Sequence, residues 1–136
     1  MKRTTQAGLA VSVALLLILL LGSCGLFGSN VVVTVKVTGT DHGGDVDVYV
    51  GIAKGYALSQ TQLDELEILE VTKITPSETE QSVTFEVPAN SNYTAFVFHD
   101  VNTSGTYDDG DTVRMSFDGA ISYLEEDITV SIPYNY

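Results

Sequence analysis

Oxygen donors crowd one short stretch of the chain: Asp100-Val101-Asn102-Thr103-Ser104-Gly105-Thr106-Tyr107-Asp108-Asp109-Gly110-Asp111. Counted from Asp100, positions one, three, five, nine and twelve are Asp100, Asn102, Ser104, Asp108 and Asp111. Position seven, Thr106, offers its backbone carbonyl. A hard cation such as calcium takes about six to eight oxygens, drawn from carboxylates, amide and backbone carbonyls and water. Four carboxylates within twelve residues repel one another unless a positive charge sits among them. The pattern therefore points to cation binding, with calcium the expected ion. The bland alternative is a solvated turn, because Asp, Asn, Ser and Gly bond their own backbone and tolerate left-handed conformations.

The spacing follows the calcium loop of the EF-hand, with Gly105 at position six, where that loop turns sharply. Two positions depart from it. Ser104 is neutral where a carboxylate is common. Asp111 is one methylene shorter than the usual bidentate Glu. Asp109, beside Asp108, is a substitute ligand. Fewer bidentate contacts imply weak binding, with Kd on the order of 10⁻⁴–10⁻³ M. The flanks are not helical: Tyr93-Thr94-Ala95-Phe96-Val97-Phe98 is a β-type apolar run, and residues 112–117 alternate with period two. The loop is EF-like but set on a β scaffold.

The remaining chain must position that loop. At 136 residues one domain is the natural expectation. Six basic residues face 18 acidic ones, a net charge of −12. Removing residues 1–23 takes away Lys2 and Arg3 and no acid, leaving −14. Nucleic acid is excluded as an expected partner, since phosphate binding needs clustered Lys and Arg. Docking on anionic lipid by charge is excluded likewise. One cysteine rules out an internal disulfide.

The N-terminus reads as an address. Met1-Lys2-Arg3 is basic, residues 10–21 are apolar apart from Ser12, and Leu21-Gly22-Ser23-Cys24 follows. That order defines a secretory signal peptide, and the run is short for a membrane span. Leu21-Gly22-Ser23-Cys24 resembles the lipobox of bacterial lipoproteins. The resemblance implies cleavage before Cys24, diacylation of its thiol and acylation of the new amino group. More than one acyl chain gives stable anchoring. Gly25 after the cysteine leans the expectation toward the outer membrane. The expected organisation is a signal peptide over 1–23, the acylated Cys24 and a tether over 24–30, and a β-sandwich domain over 31–136.

Within that domain, alternating or apolar runs predict seven strands, over residues 31–38, 45–52, 68–74, 82–87, 93–99, 112–117 and 127–132. A short helical turn capped by Ser59 or Thr61 is expected within residues 54–67. Residues 76–81, 88–92 and 118–119 read as turns. The run at 93–99 is apolar on both faces, as a central strand is. The expected fold is all-β: a seven-stranded antiparallel β-sandwich of immunoglobulin-like size. Tyr93-Thr94-Ala95-Phe96-Val97-Phe98-His99-Asp100-Val101-Asn102, with Gly105 and Asp108, resembles the strand-plus-loop motif of small exported bacterial proteins with prealbumin-like (transthyretin-like) sandwiches. The resemblance implies that fold and a metal site more than an activity; related modules serve as stalks, adhesion units or accessory domains.

No catalytic set is visible. On a strand, His99 and Asp100 point to opposite faces, so they make no catalytic pair. No Gly-rich phosphate loop or nucleophile elbow occurs. His42 sits in a Gly-rich turn, and Glu125-Glu126-Asp127 reads as a solvated turn. Tyr123, Tyr134 and Tyr136 offer an aromatic patch for sugar or peptide, with core packing as the default. The sequence thus predicts a lipid-anchored, non-enzymatic envelope protein with a weak calcium loop and a structural or interaction role. The alternative is a surface module that binds carbohydrate or protein without metal.

Overall fold

The computed structural model describes residues 28–39, 46–75 and 77–134. The signal peptide, the lipobox with Cys24, His42 and Tyr136 lie outside the described residues. Among the described residues, eight strands form two packed sheets, and a four-residue helix lies between the second and third strands. The strands are β1 (Asn30–Gly39), β2 (Asp47–Lys54), β3 (Glu67–Ile74), β4 (Ser77–Pro88), β5 (Ser91–Asp100), β6 (Thr112–Arg114), β7 (Ala120–Leu124) and β8 (Ile128–Pro133). The helix α1 is Gln60–Leu63, and Ser59 caps it by accepting a bond from the Gln62 backbone N–H. One sheet has the order β4-β1-β8; the other runs β3-β2-β5-β6, with β7 also paired to β5.

Alternation builds the sandwich. Val31, Val33, Val35 and Val37 of β1 and Val48, Val50 and Ile52 of β2 are buried, while the residues between them on β1 are less so. They meet Phe85, Val87, Tyr93, Ala95, Val97, Val130 and Ile132 in one core between the sheets. The apolar character of both faces of β5 has a separate cause on each side. Tyr93, Ala95 and Val97 face the sandwich core. Phe96 and Phe98 face the other way, into a second core that residues 55–66 cover with Ala57 and Leu63. Thr94, fully buried, pins that covering segment: its Oγ1 accepts the Ala57 N–H and donates to the Gly55 carbonyl, both at 2.9 Å.

Gly51 seats Phe96. A β-carbon at Gly51 would fall 2.4 Å from the Phe96 ring. Gly51→Ala is therefore expected to cost about 1–3 kcal/mol, as overpacked cores do, read as a lower urea midpoint; an unchanged midpoint would mean the ring has room to move.

The sandwich departs from the sequence expectation in several places. The described residues form eight strands, not seven. β4 starts at Ser77, so most of the turn expected over 76–81 is strand. The strand expected over 112–117 stops at Arg114, because Phe117–Gly119 forms a 3₁₀ turn capped by the Ser116 side chain. That turn fills the gap between β6 and β7 along β5, and Gly119 lies against the Ala95 carbonyl, where a β-carbon would come to 2.7 Å. β7 is the added strand. One pair, β1 with β8, is parallel rather than antiparallel.

Register fixes where the loop stands. Asn30 pairs with Pro88, and β5 starts three residues later at Ser91. β5 then runs ten residues to Asp100, which pairs with Asp47. At about 3.3 Å per residue, the acidic loop lies roughly 30 Å from the end where the chain enters the domain.

Candidate cation-binding loop

Residues 100–111 link β5 to β6. Asp100 is 1% exposed, and its carboxylate is a strut: Oδ1 accepts the Ser104 N–H at 3.0 Å and Oδ2 the Gly105 N–H at 2.7 Å. Asp111, 4% exposed, closes the other end by accepting from the Val101 N–H at 3.1 Å and the Asp108 N–H at 3.0 Å. These bonds curl the backbone, and Gly105 takes the left-handed φ of 76° that the curl requires. Thr103 also adopts positive φ, at 59°, an uncommon conformation for a residue with a β-carbon.

The other donors gather at the loop's mouth. Asn102 Nδ2 donates to Asp108 Oδ1 at 2.8 Å, and Ser104 Oγ donates to Asp108 Oδ2 at 2.8 Å. Ser104 Oγ is also 3.0 Å from the Thr106 carbonyl oxygen. Positions three, five, seven and nine of the loop are thus brought together. Positions one and twelve present carboxylates from beneath, already engaged with backbone N–H groups. Asp109 does not join them. It is exposed and makes no hydrogen bond or ion pair among the described residues.

The donor set is all oxygen, which suits a hard cation. Among the described residues, no three His, Cys, Asp or Glu side chains gather to hold a metal by themselves. An ion here would depend on a mixed set: Asp108, the Ser104 hydroxyl, the Thr106 carbonyl, the Asn102 amide, and the spare lone pairs of Asp100 and Asp111. The Asn102 amide oxygen now accepts from the Ser104 N–H at 2.9 Å, so its amide would have to turn for the oxygen to face the mouth.

The sequence reading missed the loop's anchorage. Tyr107 turns inward, edge-on to Phe96 and Phe98 with ring centroids at 5.3 and 5.4 Å. Its hydroxyl donates to Asp64 Oδ1 at 2.5 Å. Burial and the Asp64 carboxylate push the phenol pKa up. Gln60 Nε2 donates to the Asp111 carbonyl at 3.2 Å. Segment 55–66 and the loop are therefore joined at two points. The one available signal was an aromatic residue at an otherwise polar position of the loop.

The remaining aromatic and histidine candidates separate. Tyr134 is buried, with its hydroxyl bonded to His99 Nε2 and its ring edge-on to the imidazole. Tyr123 stands apart, 59% exposed. Lys73 pairs with Asp47 at 2.7 Å, and this bond raises the lysine pKa.

The fold and loop together define a two-sheet β-sandwich bearing an oxygen-lined loop at the end opposite its chain entry. No protein-family model matches the chain, and no curated protein does.

Proposed function

We propose that this chain is a lipid-anchored protein of the bacterial cell envelope whose β-sandwich carries a weak calcium site and serves a structural or interaction role rather than catalysis. The observation that carries the calcium reading is the convergence of Asn102, Ser104, the Thr106 carbonyl and Asp108 at one mouth, above the buried Asp100 and Asp111 carboxylates. Calcium supplies the positive charge among these acids, and the chain's own residues do the rest. Asp100 and Asp111 hold the backbone in a curl. Asp108, half-buried, supplies the charge at the mouth. Ser104, Thr106 and Asn102 complete the oxygen shell.

The anchoring reading rests on the resemblance of Leu21-Gly22-Ser23-Cys24 to a lipobox. Cys24 lies six residues before β1. An acyl anchor there puts the entry end of the sandwich toward the membrane and holds the calcium loop away from it. Globomycin, which blocks the lipoprotein signal peptidase, tests this half. It should leave the uncleaved precursor to accumulate, and labelled palmitate should fail to enter a Cys24→Ala variant. Normal processing of Cys24→Ala would contradict the anchor. The calcium half is tested by thermal melts of the parent and of Asp108→Asn, with and without the ion.

A further inference from the structure

A groove of about 230 Å³ runs between segment 55–66 with the start of β3 and the loop, lined by Leu63, Asp64, Leu66, Ile68, Tyr107, Asp108 and Asp109. Its floor is apolar. Leu63 is fully buried, while Leu66, Ile68 and Tyr107 are half-buried. Its rim is acidic: among the described residues no basic side chain lines it, and the whole chain is at −12. The rim acids differ in what they are free to do. Asp108 is bonded to Asn102 and Ser104. Asp64 uses one oxygen for the Tyr107 hydroxyl and is exposed. Asp109 is exposed and bonds to nothing described.

We propose that this groove is a docking site for a basic segment of a protein partner, received as a single lysine or arginine side chain. The chemistry follows from the lining. A lysine or arginine has a long aliphatic stem and a charged head, and buries the stem on apolar surface while the head reaches polar groups. The stem lies along Leu66 and Ile68, with the ring of Tyr107 giving a cation–π face. The head sits between Asp64 and Asp109. A neutral apolar ligand would leave these carboxylates unused, and an anionic one would be repelled by them. The site stands whether or not the loop holds calcium, because Asp64 and Asp109 are outside the set of oxygens at the mouth. This also gives Asp109 a role other than the substitute ligand that spacing alone suggested.

The test is a nuclear magnetic resonance titration of the full chain in a nonionic detergent, run once in chelator and once in calcium. The probe is the capped peptide acetyl-Lys-Ala-Lys-Ala-amide, compared with the same peptide carrying acetylated lysines. The expected result is saturable shifts confined to the Leu63, Leu66 and Ile68 methyls and the Tyr107 ring. They should be absent with the acetylated peptide and weakened about three- to tenfold in affinity by Asp109→Asn combined with Asp64→Asn, the scale of two exposed charge pairs. Asp109→Asn alone, which touches no described bond, should already weaken binding. Shifts scattered over the acidic surface, or an affinity indifferent to Asp109→Asn, would overturn the proposal. Localised shifts in chelator with no calcium effect on melting would support the groove while refuting the calcium site.

Discussion

Phe96→Ala is expected to lower the unfolding free energy by about 3–5 kcal/mol, the range for truncating a buried aromatic. Phe96 is fully buried and stands over Gly51. It stacks with Phe98 at 5.9 Å and packs edge-to-face with Tyr107 at 5.3 Å. Its loss empties the middle of the second core, beneath both segment 55–66 and the acidic loop. Urea unfolding measures the effect, and a double-mutant cycle sharpens it. Gly51→Ala should be costly in the parent and nearly neutral beside Phe96→Ala, since the clashing ring is gone. Additive costs would show that Gly51 is required for some other reason.

Asp100→Ala is expected to destabilise the chain by about 2–4 kcal/mol even in excess chelator. The carboxylate accepts the backbone N–H groups of Ser104 and Gly105 from a fully buried position. Removing it leaves the Gly105 N–H without its acceptor and the Ser104 N–H with only the Asn102 amide oxygen, and a hydrogen bond to a charged group contributes about 1.5–3 kcal/mol. The usual logic, in which the first acid of the loop is mutated to test metal binding, therefore mixes two effects here. Asp108→Asn is the cleaner variant: it removes a charge at the mouth but keeps an acceptor for Ser104. Equal stability of Asp100→Ala and the parent in chelator would refute the strut role.

Much of this was legible in the sequence, and the gaps have physical causes. From Val33 onward the valines of β1 alternate with Thr34, Lys36 and Thr38, and Val48 and Val50 of β2 flank Tyr49, so these strands and their buried faces could be read directly. β5 was recognisable as central because it is apolar on both faces, though only the structure shows that its outer face lies under segment 55–66. β7 was invisible: its buried residues, Ile121 and Leu124, are three apart, and Tyr123 takes φ of 52°, so no period-two pattern exists. The parallel pairing of β1 with β8 depends on contacts 95 residues apart in sequence, which local pattern cannot specify. In the loop, spacing picked out the residues that gather at the mouth, though Asn102 meets Asp108 through Nδ2 and not through its amide oxygen. It could not reveal that Asp100 and Asp111 are spent largely on the backbone, because that depends on how the curl directs each N–H. Nor could it place Tyr107 under the loop or leave Asp109 exposed and, among the described residues, unbonded beside the donors at the mouth.

The central claim is that the loop binds calcium, and a thermal melt tests it most directly. Residues 25–136 would be melted in excess chelator and again with 10 mM calcium. With Kd on the order of 10⁻⁴–10⁻³ M, the ion should add about 1–3 kcal/mol, or roughly 5–15 °C in Tm, and most of that gain should vanish in Asp108→Asn. A melting temperature indifferent to calcium, or a rise of the same size in Asp108→Asn, would contradict the account and leave the loop as a self-bonded turn.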